Sequence, residues 1–191
     1  MSVSAEISRS WLLVNALSQE QLDSVQESRA DQVVIDIEDA VDPVNKAKAR
    51  EHVAAWLETS SAWVRVNDVN TDFWRDDLIA LSNAPGLKGI MLAKTEDGQS
   101  VEQTFKLLGS HVPIIPLVES ALGIENAPEI ARAKGAFRLA FGSGDYRRDT
   151  GTSADDLAMS YPRTRLVIAS RIGNLPGPID GPTVGPNHAS L

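Results

Sequence analysis

Residues 33–41 read VVIDIEDAV, an apolar run that gives way within a few positions to a cluster of acids. The apolar half, residues 33–35, is typical of a short strand buried on both faces, as a parallel sheet requires. Asp36, Glu38 and Asp39 follow at the C-terminal end of that strand. Two interpretations stay open at this point: one acid caps the next helix while the others face water, or the acids form part of a site.

Five further segments have a similar apolar character, and helix-like segments alternate with them. The predicted strands are residues 10–15, 33–35, 62–67, 89–93, 114–118 and 138–142. The predicted helices are residues 18 to about 28, 42 to about 58, about 71 to 82, 98–108, a short helix introduced by Gly123 and Asn126, and 161–172. Strand centres recur about every 25 residues, which is the spacing of βα units around a parallel sheet.

Two architectures can hold such a sheet, a doubly wound open sheet and a (β/α)8 TIM-type barrel. No glycine fingerprint for a dinucleotide follows the first strand, whereas polar residues end strands two to six, as they do at the mouth of a barrel. We therefore predict an α/β barrel, with residues 177–182 as a seventh strand ending at Asp180. The chain then stops near strand seven, so the barrel is expected to be truncated, with residues 183–191 as a loop-like or disordered tail.

Length and composition favour one soluble barrel domain over residues 1–191. With 42% hydrophobic and 23% charged residues, the chain has an ordinary globular composition. The net charge of −8 disfavours nucleic acid or an anionic membrane as a partner, which directs attention to small molecules. The absence of cysteine excludes thiol catalysis, disulfides and thiolate metal sites. Since no signal-like apolar segment opens the chain, the expected location is the cytoplasm.

Glu119 and Asp145 each follow an apolar strand in successive βα units. In a barrel their carboxylates project from neighbouring strand ends, where two oxygens and open positions for water suit Mg²⁺. The alternative is that Glu119 pairs with a basic neighbour such as Lys94, while Asp145 caps the segment that follows it. The residues alone leave both interpretations open.

Arg65 lies in the middle of a predicted strand, among apolar neighbours. Its planar fork suits a carboxylate or a thioester oxygen, and an internal salt bridge to Asp36 or Glu38 is an alternative that can coexist with that role. Lys94 follows strand four in a similar position, although its side chain can also extend to solvent.

Other reactive residue types give no comparable signal. His52, His111 and His188 show no metal-ligand spacing, and we assign none of them a role. A G-x-S-x-G elbow is missing from the sequence, so hydrolase chemistry of that type lacks support.

Taken in order, six motifs resemble the citrate lyase beta-subunit-like family of Mg²⁺-dependent carbon–carbon lyases, part of the phosphoenolpyruvate/pyruvate barrel superfamily. The resemblance covers residues 9–180. The motifs are RSWLLVNA, VVIDIEDAV followed by a K-x-K-A-R helix, VRVN, GIMLAK, PLVESALGIENA and LAFGSGDYRRDTG.

The resemblance implies roles for particular residues. Glu119 and Asp145 would be the metal ligands, and Arg65 would hold the carboxylate or acyl oxygen of the substrate. The implied catalytic set is Arg65, Glu38 and Asp36, and the implied substrate-binding set is Arg65, Asp39 and Lys94. The implied reaction is aldol or Claisen cleavage, or formation, of a short hydroxy-acyl-CoA such as citryl-CoA or malyl-CoA.

The chain also departs from the family pattern. Asn15 and Ala93 replace prolines at the mouth, and the eighth strand with its covering C-terminal segment does not follow strand seven. Three expectations follow: a partner chain of a homo-oligomer completes the barrel, the open edges are covered in another way, or the chain is a fragment of a longer protein. The functional alternatives are a binding or scaffold protein that retains the metal and oxo-acid pocket, and a pyruvate-type aldolase that acts without CoA.

Overall fold

The structure of the chain is a computed structural model, which describes residues 3–16, 18–25 and 28–182. Six parallel strands form one curled sheet in simple sequential order, so the α/β prediction with a parallel sheet is confirmed. The strands are β1 Trp11–Asn15, β2 Gln32–Asp36, β3 Ala62–Val66, β4 Leu87–Leu92, β5 Ile114–Val118 and β6 Ala140–Phe141.

A helix follows each strand, because neighbouring parallel strands need a crossover connection, which is usually an α-helix. The helices are α1 Gln19–Ser24, α2 Lys46–Trp56, α3 Asp72–Leu81, α4 Gly98–Leu107, α5 Ala121–Arg132, α6 Ser143–Thr150 and α7 Asp156–Ile172, with a 3-10 turn at Pro43–Asn45 before α2. Asp42 caps that turn by accepting from the backbone N–H of Val44 at 3.0 Å. Among the described residues, no helix is long and apolar enough to cross a membrane.

Alternate residues of the strands enter two different apolar clusters, as the pleat of a strand dictates. Ile35, Val64 and Ile90 pack with the helices in the larger cluster. Trp63 and Met91 belong to a smaller cluster on the opposite face of the sheet. The main core therefore lies between sheet and helices, and the second face carries its own apolar filling, as the inside of a barrel does.

Several predicted boundaries need correction. Helix α7 begins at Asp156 rather than at residue 161, because Asp155 caps it by accepting from the N–H of Ala158 at 3.0 Å. The helix introduced by Gly123 and Asn126 begins earlier, at Ala121. Helix α1 is assigned only to Ser24, and its predicted extension crosses residues outside the described ranges. The predicted tail, residues 183–191 with His188, also lies outside them.

The last two predicted strands are shorter than expected. Strand β6 has two residues, and the predicted seventh strand, residues 177–182, contributes only an isolated parallel bridge between Ala140 and Ile179. Pro116 explains part of this. Backbone groups of Ile114 and Val118 bond to the chain on the β6 side of the strand. Because the direction of the backbone groups alternates along a strand, an N–H at position 116 would face the same side, and Pro116 has none. The chain opposite Pro116 has not yet entered β6.

Arg138 holds the open side of the sheet together at the end opposite the site. Its Nε donates to the carbonyl of Gly177 at 2.6 Å, and its Nη1 donates to the carbonyls of Ala5 at 3.0 Å and Ser8 at 2.9 Å. The guanidinium also lies 5.6 Å from the centroid of the Trp11 ring. One buried cation thus joins the N-terminal segment to the segment after α7.

Gly89 is required by close packing of the sheet. A Cβ at this position would lie 2.1 Å from Cζ3 of Trp63 and 2.7 Å from the carbonyl oxygen of Pro113. We predict that Gly89→Ala lowers the free energy of unfolding by about 1–3 kcal/mol, because the ring and the backbone must move apart. Urea unfolding followed by circular dichroism measures this.

Gly177→Ala is the matched control, since nothing lies within 4 Å of a Cβ at Gly177. Its free energy of unfolding should stay within about 0.5 kcal/mol of the wild-type value. Equal stability of the two variants would contradict the packing explanation.

Candidate functional site

The acids of VVIDIEDAV and the arginine of β3 meet at the C-terminal edge of the sheet. Asp36 and Arg65 are partners in the register of β2 and β3. Arg65 Nε donates to Asp36 Oδ1 at 2.8 Å, and Arg65 Nη2 donates to Asp36 Oδ2 at 2.5 Å. The predicted internal salt bridge is therefore present. Burial alone would lower the pKa of Arg65, but the bonds to Asp36 raise it above its ordinary value.

Asp36 also shapes the turn that follows β2. Its two carboxylate oxygens accept from the N–H groups of Glu38 at 2.8 Å and Ala40 at 3.3 Å. None of the three acids caps the next helix, since Asp42 caps the turn that precedes α2, so the capping interpretation does not apply to Asp36, Glu38 or Asp39. Glu38 is directed inward by the turn after β2, and its side chain is only 5% exposed.

Glu38 connects the two basic residues of the edge. Its Oε1 accepts from Lys94 Nζ at 2.7 Å, and its Oε2 lies 3.5 Å from Arg65 Nη1. Lys94 Nζ also reaches Asp39 Oδ1 at 3.4 Å. Burial raises the pKa of Glu38. Burial lowers the pKa of Lys94, but the bonds to Glu38 and Asp39 together with their negative charges outweigh that effect and raise the pKa overall. The ammonium of Lys94 is tied to carboxylates rather than extended freely into solvent.

Lys94 contacts Glu119 as well, but through its backbone. The N–H of Lys94 donates to Glu119 Oε1 at 2.8 Å, and Lys94 adopts a left-handed conformation with φ of 49°. This conformation is uncommon for a residue with a side chain and is found at functional sites. The predicted alternative, an ion pair between the two side chains, does not occur among the described contacts.

Glu119 and Asp145 line the same cavities, as their positions after β5 and β6 predict. Burial raises the pKa of Glu119 to about 7, and the negative charges of Asp145 and Glu38 add to the effect. Asp145 lies in the first turn of α6, where it pairs with Arg148. Glu119 thus lies in a buried, negatively charged environment, whereas Asp145 has a cationic partner.

Two cavities share Glu119 and Asp145. One, of about 320 Å³, has apolar walls that include Met91 and Leu117, and Arg65 and Asp39 also line it. The other, of about 360 Å³, is lined by polar residues such as Lys94, Ser120 and Arg148. Of the three acids after β2, Asp39 reaches a cavity wall, while Asp36 and Glu38 lie behind it.

Metal ions differ in how many ligands they take from the protein. Among the described residues, no three His, Cys, Asp or Glu side chains form a group that could hold a metal by themselves. Two carboxylates with room for water nevertheless suit Mg²⁺, which commonly binds one or two protein carboxylates and keeps several waters. Glu119 and Asp145 therefore fit this ion better than one that demands a full set of protein ligands.

Some residues near this site are not among the site residues predicted from the sequence. Lys46, the first residue of α2, is 6% exposed and bonds to the turn that carries Glu38. Asn67, the last residue of the predicted strand 62–67, is buried and bonds to Lys46 and Asp77. Gly142 lies against Glu119, and a Cβ there would be 2.2 Å from Glu119 Oε2. An Asn at the end of a strand and a Gly shortly before an acid are the sequence signals that could have indicated Asn67 and Gly142.

Solved structures with the same fold include close spatial matches. RipC from Yersinia pestis superposes with a TM-score of 0.83 at 26% identity, covering 98% of this chain and 81% of that one. CitE from Mycobacterium tuberculosis, in complex with magnesium, acetoacetate and coenzyme A, matches with a TM-score of 0.75 at 26% identity, covering 89% of this chain and 64% of that one.

Curated relatives agree with the structural matches. A citrate lyase subunit beta-like protein of Deinococcus radiodurans is 32% identical over 160 residues, which cover 76% of this chain and 55% of that protein. A (3S)-malyl-CoA thioesterase of Cereibacter sphaeroides is 29% identical over 170 residues, covering 86% of this chain and 56% of that protein. The chain thus spans little more than half the length of these relatives. Because the family profile described as HpcH/HpaI aldolase/citrate lyase matches residues 9–175, the chain belongs to that family.

Proposed function

We propose that the chain provides the metal and oxo-acid site of a Mg²⁺-dependent carbon–carbon lyase, which cleaves or forms a short hydroxy-acyl-CoA of the citryl-CoA or malyl-CoA type. The observation that carries the proposal is the position of Arg65 in the wall of the cavity that Glu119 and Asp145 also line. A cation-binding pair beside an anion-binding fork suits an oxo acid chelated to a metal. In this proposal the curled sheet is part of a (β/α)8 barrel.

The residues divide the work by position. Arg65 uses Nε and Nη2 for Asp36, which leaves Nη1, with its long contact to Glu38, to hold a substrate carboxylate or acyl oxygen. Asp36 and Glu38 orient Arg65 and Lys94 from behind the cavity, whereas Asp39 and Lys94 are placed to contact the substrate. Bound Mg²⁺ would supply positive charge that stabilises the negative charge developing as the carbon–carbon bond breaks.

Substitution of the two carboxylates tests the metal site. We expect Glu119→Gln and Asp145→Asn each to abolish measurable Mg²⁺ binding in calorimetry, because a neutral amide binds this ion poorly. Glu119→Gln keeps an oxygen that can accept from the N–H of Lys94. Glu51→Gln on the exposed face of α2 removes the same charge away from the site and should bind Mg²⁺ normally. Undiminished binding in both site variants would refute the assignment.

Gly142→Ala perturbs the site without altering a ligand. The added methyl group would lie 2.2 Å from Glu119 Oε2 and 2.4 Å from Glu119 Cβ, so that the carboxylate must shift. We expect Mg²⁺ affinity to fall by about tenfold or more, because a displaced oxygen no longer matches near-octahedral geometry. Gly144→Ala, two residues on and with nothing within 4 Å of its Cβ, should leave the affinity unchanged. Equal affinities in calorimetry would argue against this geometry.

A turnover assay tests the reaction. We expect release of an oxo acid from citryl-CoA or (3S)-malyl-CoA with Mg²⁺ present, and we expect Arg65→Met to lower kcat/KM by about a hundredfold or more. Arg75→Met on the exposed side of α3 is the charge-matched control and should retain activity. Oxo acid and free CoA are measured separately.

The same assay distinguishes other functions. Release of free CoA without carbon–carbon cleavage would favour a thioesterase, a candidate supported by the name of the Cereibacter sphaeroides relative. Activity confined to free hydroxy-oxo acids would favour an aldolase that acts without CoA. Binding of oxaloacetate with no turnover on any substrate would favour a binding or scaffold protein.

A further inference from the structure

Lys46 occupies a position that is electrostatically unfavourable for a cation. It is the first residue of α2, where the helix dipole is positive, and it is 6% exposed. Burial lowers the pKa of its ammonium. Among the described residues, no carboxylate forms an ion pair with it. A buried charge without an ionic partner requires compensation from hydrogen bonds.

That compensation comes from three acceptors, one for each N–H of the ammonium. Lys46 Nζ donates to the carbonyl oxygens of Ile37 at 3.0 Å and Glu38 at 2.6 Å, and to Asn67 Oδ1 at 2.7 Å. Asn67 in turn donates from Nδ2 to the carbonyl of Ile37 at 3.2 Å and to Asp77 Oδ2 at 2.6 Å. Lys46 therefore fastens the turn after β2 to the end of β3.

The peptide held in this way is the one that carries Glu38. The carbonyls of Ile37 and Glu38 lie on either side of the Cα of Glu38, and both accept from Lys46 Nζ. The ammonium therefore fixes the position of the backbone from which the Glu38 side chain extends. The carboxylate of Glu38 then contacts Lys94 at 2.7 Å and Arg65 at 3.5 Å. Because the side chain of Glu38 is 5% exposed, it has little room to adjust if its backbone moves.

We propose that Lys46 is a positioning residue, which acts through Glu38 to place Arg65 and Lys94 for an oxo-acid ligand. This inference rests on the function proposed above. Lys46 itself touches neither cavity. Glu119 directly follows β5 and is bonded by the backbone N–H of Lys94, not by the ammonium that Glu38 holds, and Asp145 lies in α6. The role therefore predicts a selective defect: oxo-acid binding depends on Lys46, and Mg²⁺ binding does not.

The test compares Lys46→Met with Lys48→Met. Both remove one positive charge from α2, but Lys48 is exposed. In calorimetry with Mg²⁺ present, Lys46→Met should bind oxaloacetate roughly tenfold to a hundredfold more weakly than wild type, the usual range for loss of a group that orients a ligand-binding residue. Its Mg²⁺ affinity should stay within about threefold, and Lys48→Met should match wild type in both. Lys46→Arg, which keeps charge and donors, should recover part of the loss.

A thermodynamic cycle with Glu38→Gln identifies the route. If Lys46 acts through Glu38, the double variant loses little more oxaloacetate affinity than the single variants do. Additive losses, or equal losses of Mg²⁺ and oxaloacetate affinity, would overturn the positioning role, as would normal oxaloacetate binding by Lys46→Met. Should Lys46→Met fail to fold, Lys46→Gln carries the same comparison. Failure of the wild-type protein to bind oxaloacetate with Mg²⁺ would instead refute the proposed function.

Discussion

The buried pair of Asp36 and Arg65 is the interaction on which the edge of the sheet depends. Asp36 ends β2, Arg65 lies in β3, and the parallel register places them opposite each other. A guanidinium that is 13% exposed requires a partner whose two oxygens match its fork. Asp36 also accepts two backbone N–H groups, so the same carboxylate holds the arginine and bends the chain toward Glu38. The carboxylate of Asp36 therefore determines both the course of the backbone after β2 and the position of the Arg65 charge.

Around this pair, positive and negative groups are distributed unequally. Arg65 and Lys94 are satisfied by Asp36, Glu38 and Asp39. Glu119 receives a backbone N–H, and its pKa of about 7 reflects burial together with nearby negative charge. Ionisation of such a group becomes favourable when a cation lies beside it. Asp36 and Glu38, behind the cavity, bind the basic side chains, and Asp39 both pairs with Lys94 and lines the cavity. Glu119 and Asp145 face the cavity. The five carboxylates of this region therefore differ in what they contact: basic side chains, the cavity, or both.

Much of this arrangement could be predicted from the sequence, because parallel strands bring their C-terminal residues to one edge. The meeting of Arg65 with Asp36 follows from that rule when β2 and β3 are neighbours, as they are in the sequential order of a barrel. Contacts set by backbone conformation could not be predicted in this way, since no periodicity encodes the left-handed Lys94 that turns its N–H to Glu119. Lys46 was missed because a lysine at the start of a helix is ordinarily solvated. The short β6 was missed because the effect of Pro116 depends on which neighbour its missing N–H faces.

Arg138 has a consequence for how the chain reaches its native state. Its guanidinium bonds to carbonyls of residues 133 and 130 positions earlier in the chain, and to another 39 positions later. Contacts at such separations form slowly, since much chain entropy is lost before they close. Before the segments that contain Ala5, Ser8 and Gly177 pack against Arg138, hydration of the guanidinium is more favourable than its burial. Arg138 therefore becomes buried only as the sheet is completed. The contacts around Arg138, at the N-terminal ends of the strands, should therefore form late and cooperatively. The acids lie at the C-terminal ends of the strands, where contacts join strands that are adjacent in sequence.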